Sequence, residues 1–125
     1  AVNYHHGQLY GDKPYVVHVN NVAIEVDSYS AEHIAVAYLH DILEDTTCQE
    51  ALLRSVFPPE VVDAVVAMTK LKGEAYHRYL HKVRMNPIAL VVKRADTLCN
   101  LVESVKIQDW RRVRKYSEQM ILLCE

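Results

Sequence analysis

Apolar residues recur along most of the chain at intervals of three and four positions, the spacing that places side chains on one face of an α-helix. The interval is clear in Val16, Val19, Val22, Ala23 and Val26. The strict alternation that would predict β-strands is missing even around the valine pairs at 61–62 and 91–92. We therefore predict an all-α bundle of about seven or eight helices.

Residues that commonly begin helices divide this pattern into segments. Ser30 and Asn86 can each cap a helix N-terminus, and prolines favour the first helical position. Thr47 and Glu50 match the T-x-x-E capping box ahead of an apolar run. The predicted helices span residues 16–26, 30–45, 47–56, 59–68, 76–83, 88–105 and 110–123.

The length and the glycine content limit the fold and the kind of site. A chain of 125 residues suits one domain, and we treat residues 1–125 as a single unit whose ends are open to being trimmed. Neither the dinucleotide-binding GxGxxG motif nor the phosphate-binding GxxxxGK[ST] loop can be written with three glycines at Gly7, Gly11 and Gly73.

Charge, cysteines and hydropathy predict the partners and the compartment. A net charge of −2 argues against a nucleic-acid-binding surface. The three cysteines fit neither a disulfide framework nor a CxxC metal site, which favours a reducing compartment. No apolar run reaches about 18 residues, and no signal peptide is visible. We expect a cytoplasmic protein that acts on a small molecule, and its oligomeric state stays open.

Four polar residues interrupt an apolar helical segment at His40, Asp41, Glu44 and Asp45. On a continuous helix His40 would lie one turn from Glu44, and Asp41 one turn from Asp45. Burying so many charges is costly unless a cation compensates them. The alternative is a helix C-terminus with solvated acids, although acids there oppose the helix dipole. Both interpretations stay open from this stretch alone.

A second polar group lies in the long segment 88–105. Asp96 and Asn100 are one turn apart on one face. An internal ion pair between Asp96 and Lys93 or Arg94 is the commoner explanation for such a group.

A third element is His18, in the first turn of an apolar helix. Such a histidine is more often packed in the core than bound to a metal. Taken together, however, the three elements supply nitrogen and oxygen ligands that suit a first-row divalent metal: His18, His40, Asp41 and Asp96. Glu44 and Asp45 could then orient or deprotonate a water molecule.

The motifs PYVVH, HDILEDT, MTK and VVKRADTLCN resemble those of the HD-domain metal-dependent phosphohydrolases. Their order and spacing are most similar to the hydrolase domain of the RelA/SpoT alarmone enzymes and to their small stand-alone relatives, the Mesh1-like hydrolases. The resemblance runs from His5 to Asn100. A weaker similarity to an R-V-x-x-Y segment of the stand-alone forms follows at Arg112–Tyr116.

This resemblance implies an HD-domain helical bundle with one manganese ion per chain. It also implies removal of pyrophosphate from the 3′ position of a guanosine alarmone (ppGpp) or of a related nucleotide. By motif position, the metal ligands would be His18, His40, Asp41 and Asp96. The acidic pair that activates the attacking water would be Glu44 and Asp45. The substrate contacts would be Asn100, Lys70, Arg112 and Tyr116.

The loop before the first helix departs from the family pattern. It is about one residue shorter, and Leu9 and Tyr10 stand where basic residues are expected. Tyr10 could stack on a base or simply pack, and Lys13 could supply a substrate-binding charge. We expect Tyr76 and Tyr79 to be core contacts.

Two further functions stay open. The altered loop favours an HD-fold phosphohydrolase of other nucleotide specificity. A non-catalytic nucleotide-binding sensor is the other alternative, but such a protein has no need of an acidic pair that activates water.

Overall fold

The computed structural model describes residues 4–10 and 13–125, and within them the predicted all-α fold is confirmed. Eight helices occur in this part of the chain: α1 (Tyr15–Glu25), α2 (Ala31–Leu39), α3 (Ile42–Asp45), α4 (Glu50–Val56), α5 (Pro59–Ala67), α6 (Tyr76–Arg84), α7 (Pro87–Lys106) and α8 (Trp110–Cys124). One pair of two-residue strands precedes them: β1 (Leu9–Tyr10) and β2 (Lys13–Pro14).

Two of the predicted helix caps are confirmed. The Asn86 side chain accepts a hydrogen bond from the Ala89 N–H at 3.0 Å, and Pro87 occupies the first position of α7. The Ser30 hydroxyl accepts from the His33 N–H at 3.4 Å at the start of α2. Each cap satisfies a backbone donor that has no partner inside its helix.

The predicted helix over 30–45 is wrong in one important respect, because it is interrupted at His40 and Asp41. Helix α2 ends at Leu39 and α3 begins at Ile42. Asp41 has φ −106° and ψ 1°, which lies outside the α-helical region. The one-turn stacking of His40 on Glu44 required a continuous helix and is therefore also wrong, whereas the stacking predicted for Asp41 and Asp45 involves a side chain outside the described part of the structure.

The capping box predicted at Thr47 is wrong as well. Helix α4 follows Gln49, and no side chain caps it. The hydroxyl of the preceding residue, Thr46, donates to the Ile42 carbonyl and accepts from the Cys48 N–H instead. The Thr46 hydroxyl therefore lies at the end of α3 and does not cap the start of α4.

Helix α7 is the central element, and it packs against α1, α2, α5, α6 and α8. Fully buried valines from three other helices share one core cluster with Val92 of α7: Val22, Val36, Val62 and Val65. Removing this apolar surface from water is the main force that holds the helices together. The same helix carries Asp96 and Asn100 into the interior, where both are buried.

The short strands form an antiparallel pair that the sequence pattern did not predict. Leu9 lies opposite Pro14, and Tyr10 lies opposite Lys13. Both strands contact α1, which places Tyr10 beside the buried His18 of that helix.

In the described ranges, no helix combines the length and apolar character that crossing a membrane would require.

Candidate metal centre

Four side chains from three parts of the fold meet at one point inside the bundle. His18 comes from the first turn of α1, His40 and Asp41 from the break between α2 and α3, and Asp96 from the middle of α7. One nitrogen or oxygen atom from each lies within 4.8 Å of the others. The two histidines and Asp96 are buried, and 21% of the Asp41 side chain is exposed.

The surroundings of His40 favour a cation at this point. Its Nδ1 donates to the Ala37 carbonyl at 2.7 Å, a contact that fixes the ring orientation. Its Nε2 then faces Asp41 Oδ2 at 3.1 Å and Asp96 Oδ1 at 3.2 Å. A neutral ring would direct a lone pair at two carboxylate oxygens, so either a proton or a metal ion must lie between them. Burial lowers the pKa of His40, but these two carboxylates outweigh it and hold the pKa well above its ordinary value.

Asp96 connects the histidines to a buried lysine. Its Oδ1 lies 2.8 Å from His18 Nε2, and its Oδ2 accepts from Lys93 Nζ at 3.1 Å. Burial raises the pKa of Asp96, but the charges of Lys93 and His40 outweigh burial and hold the pKa well below its usual range. The predicted ion pair with Lys93 is therefore present beside the histidine contacts. Arg94 instead donates to the Leu123 carbonyl.

The donor set fits a divalent transition metal. It combines two imidazole nitrogens with carboxylate oxygens, which is the chemistry that such ions prefer. His18 Nδ1 is buried and has no hydrogen-bond partner among the described residues, so this nitrogen makes no polar contact that would compete with a metal ion. That these residues bind an ion stays a prediction.

A cavity of about 330 Å³ opens over this group. It brings together eight of the predicted site residues: His18, Asp41, Glu44, Lys70, Asp96, Asn100, Arg112 and Tyr116. His40 is buried and does not line the cavity itself, but it contacts Asp41, which does. Lys13 is exposed on β2 and is not part of the lining in the described ranges, and the side chain of Asp45 lies outside the described part of the structure.

Glu44 lies at the cavity wall, outside the group of four ligands. Its Oε2 accepts from the Lys70 N–H at 3.2 Å, which ties α3 to the segment after α5. One carboxylate oxygen is thus held by a backbone amide while the residue remains solvent-exposed. The role of Glu44 as the base that takes a proton from water stays a prediction.

The cavity carries positive charge around its acidic residues. Its lining includes four cationic side chains: Lys70, Lys93, Arg112 and Lys115. The Arg112 guanidinium lies 5.7 Å from the centre of the Tyr116 ring, and Lys115 Nζ lies 5.1 Å from the same centre. Such a surface favours an anionic ligand with several charges.

Tyr10 packs against the centre in this structure. Its ring stacks on His18 with the ring centres 4.4 Å apart, and its hydroxyl donates to Asn100 Oδ1 at 2.6 Å. Burial, followed by the charge of Asp96, raises the pKa of this phenol well above its ordinary value.

Sequence reasoning missed several cavity residues, of which Tyr76 is the clearest. Tyr79 is a core residue as predicted, with 4% exposure, although it also contributes to the cavity lining. Tyr76 is 42% exposed and lines the cavity. The prediction for Tyr76 is therefore wrong, because the first turn of α6 faces the cavity. Gln119 and Lys115 also line it, and no pattern in α8 distinguished them from other polar residues.

Comparison with known proteins finds similarity to the class of enzymes that the sequence motifs resemble. No protein-family model matches the chain. The guanosine-3′,5′-bis(diphosphate) 3′-pyrophosphohydrolase of Aquifex aeolicus is 26% identical over 118 aligned residues. The GTP pyrophosphokinase rsh of Brucella ovis is 32% identical over 120 aligned residues. Each alignment covers 86% of this chain, but only 17% and 16% of the respective relatives.

A solved structure extends the comparison to the fold. It belongs to a protein described as a metazoan ortholog of SpoT that hydrolyses ppGpp and plays a role in starvation responses. The TM-score is 0.80 at 22% identity, over 98% of this chain and 80% of that chain. The resemblance to RelA/SpoT-type hydrolase domains is confirmed. The fold is the all-α HD-domain bundle that this resemblance implied.

Proposed function

We propose that this chain is a metal-dependent phosphohydrolase domain that removes the 3′-pyrophosphate from ppGpp or a related 3′-phosphorylated nucleotide. The observation that carries the proposal is the group of two histidines and two aspartates beneath a cavity whose wall holds Glu44 and four cations. The name of the relative from Aquifex aeolicus supports the same reaction.

The metal would be held by His18, His40, Asp41 and Asp96, and the family resemblance favours Mn²⁺. When bound, a divalent ion neutralises phosphate charge and lowers the pKa of water. The Lys93–Asp96 pair would keep one oxygen of that carboxylate occupied, so that Oδ1 faces the site.

Glu44 would accept the proton of the attacking water, with Asp45 as its predicted acidic partner. The backbone amide of Lys70 holds Glu44 Oε2 and so fixes the carboxylate at the cavity wall. The water oxygen forms a bond to phosphorus, the bond from that phosphorus to O3′ breaks, and O3′ takes up a proton. The products are pyrophosphate and a nucleotide with a free 3′-hydroxyl.

The cationic side chains would bind the phosphates, since charge-assisted hydrogen bonds are the strongest that such groups make. Arg112 and Tyr116 face the cavity from α8, while Lys70 faces it from the segment after α5. Asn100 would contact the substrate from α7. Lys13 remains a predicted contact whose exposed position on β2 gives it no direct support.

A phosphohydrolase of other nucleotide specificity is the second candidate. Tyr10 occupies the region where the family pattern carries basic residues, and it packs on His18 rather than offering a charge. This observation favours a substrate whose recognition depends less on that loop.

The relative from Brucella ovis is named for pyrophosphate transfer rather than hydrolysis. We propose hydrolysis for this domain, which is the reaction that the name of the relative from Aquifex aeolicus gives.

The test is a release assay over 3′- and 5′-phosphorylated nucleotides with added Mn²⁺. We expect the chain to release pyrophosphate from a 3′-diphosphorylated nucleotide and to stop when a chelator is added. Glu44→Gln should keep the bound metal while turnover falls on the order of 10²-fold or more. Glu60→Gln is the matched control, because Glu60 is exposed on α5 and lies outside the cavity lining.

Three results would contradict the proposal or its parts. No release across the whole panel would reject hydrolysis. Full activity of Glu44→Gln would reject its role as the base. Loss of metal in that variant would make Glu44 a ligand instead.

A further inference from the structure

Three polar side chains form a chain of hydrogen bonds that runs from the interior to one wall of the cavity. Thr97 follows Asp96 in α7 and is fully buried, and Gln119 in α8 is 5% exposed. The Thr97 hydroxyl lies 2.6 Å from Gln119 Oε1, and Gln119 Nε2 donates to the hydroxyl of Tyr76 in α6. The chain therefore begins beside a candidate metal ligand and ends at the cavity surface.

The direction of these bonds decides what Tyr76 presents to the cavity. The Thr97 hydroxyl can also reach the Lys93 carbonyl, at 2.8 Å, but its shorter contact is to Gln119 Oε1. With that oxygen accepting, the amide group of Gln119 faces Tyr76 and donates to it. The phenol oxygen is thus an acceptor inside the wall, and its own hydrogen must point elsewhere.

That hydrogen is therefore available to a ligand in the cavity. Tyr76 lines the cavity, and its hydroxyl makes no other hydrogen bond to the residues that the structure describes. A phosphate oxygen can only accept hydrogen bonds, so an O–H donor near Lys93, Arg112 and Lys115 complements their charge.

We propose that Tyr76 is a substrate-binding residue that donates to a phosphate oxygen, and that Gln119 is the positioning residue that sets its direction. This inference rests on the proposed function, because it takes the ligand of the cavity to be phosphorylated. It assigns a role to α6 and α8 residues that the sequence motifs did not include.

The test compares pyrophosphate binding by the wild-type chain, Tyr76→Phe and Gln119→Met, measured by calorimetry with equal Mn²⁺ in cell and syringe. Tyr76→Phe removes one hydrogen bond to a charged group, so we expect binding about 10- to 100-fold weaker. Gln119→Met leaves the phenol in place without its fixed direction, and we expect a loss of about 3- to 10-fold. Tyr38→Phe is the matched control, because its hydroxyl donates to Asn20 on the surface and should leave binding unchanged.

The double variant separates positioning from general damage. If Gln119 acts only through Tyr76, the double variant binds pyrophosphate as Tyr76→Phe does, with no additional loss. In the release assay, the KM of Tyr76→Phe should rise in proportion to the loss of binding, while kcat changes less. Thermal melting of each variant shows whether the fold is kept.

The outcomes distinguish this inference from the function on which it rests. Unchanged pyrophosphate binding by Tyr76→Phe, or no binding by the wild-type chain, would overturn the role of Tyr76 even if the chain hydrolyses nucleotides. Additive losses in the double variant would overturn the role of Gln119. Tyr76-dependent binding in a chain without hydrolysis would uphold this inference and reject the enzyme.

Discussion

Replacing Lys93 with Met should destabilise the protein far more without metal than with it. Lys93 Nζ lies 3.1 Å from Asp96 Oδ2, and only 13% of the lysine side chain is exposed. Burial lowers the pKa of Lys93, but the Asp96 carboxylate outweighs it and raises the pKa above its ordinary value, so the lysine is charged. Methionine keeps most of the apolar stem and removes only the charge.

The expected size follows from this distance and burial. Two unit charges 3.1 Å apart attract by about 5 kcal/mol at an effective dielectric constant of about 20. Removing one partner of a buried pair costs about 3–5 kcal/mol, because Asp96 then keeps only the histidines beside its Oδ1. A bound divalent ion would compensate Asp96 from its other oxygen. The loss should then shrink to about 1–2 kcal/mol, mainly the contact of Lys93 with the Tyr79 ring.

The measurement is urea denaturation in a chelator and in excess Mn²⁺. Lys82→Met is a close control, because Lys82 Nζ lies 3.1 Å from Glu74 Oε1 and 5.9 Å from the centre of the same Tyr79 ring. That pair is more exposed and lies outside the ligand group, so its loss should be about 1 kcal/mol in both conditions. Equal losses for Lys93→Met in chelator and metal would refute the reasoning.

Two further predictions concern the centre and the helix that carries it. Asp96→Asn should abolish metal binding. Elemental analysis after purification without chelator should show about one equivalent of metal in the wild-type chain and none in the variant, and a variant that keeps its metal would show that Asp96 is not a ligand. Asn86→Ala removes the side chain that caps α7 and should lower the free energy of unfolding by about 1 kcal/mol, with no change in metal content; thermal denaturation measures the first, and an effect below about 0.3 kcal/mol would mean that the cap is not needed.

Local signals predicted the parts of the fold that depend on neighbouring residues. Ser30 and Asn86 cap helices through backbone amides three residues away, so the sequence contains both partners of each bond. The motif spacing likewise indicated the side chains that meet at the centre. The fold class followed from periodicity, because each helix must bury its apolar face against another.

What the sequence could not predict depends on contacts between distant elements. Leu39 and Ile42 keep the helical spacing of apolar residues on either side of His40 and Asp41, so no local signal marks the end of α2. Tyr76 and Gln119 are 43 residues apart, and only the packing of α6 against α8 brings them together. The strand pair at Leu9–Tyr10 is too short to produce an alternating pattern.

The interruption between α2 and α3 has a consequence for evolution and engineering. Ending a helix at His40 gives up backbone hydrogen bonds that a continuous helix would make, and each contributes about 0.5–1.5 kcal/mol. Substitutions at neighbouring positions that draw Asp41 into helical geometry would therefore raise the stability of the metal-free chain, yet they would move Asp41 from its present place beside the other ligands. Selection for thermostability alone should erode this centre without changing any of its four side chains, and selection in the presence of metal should preserve it.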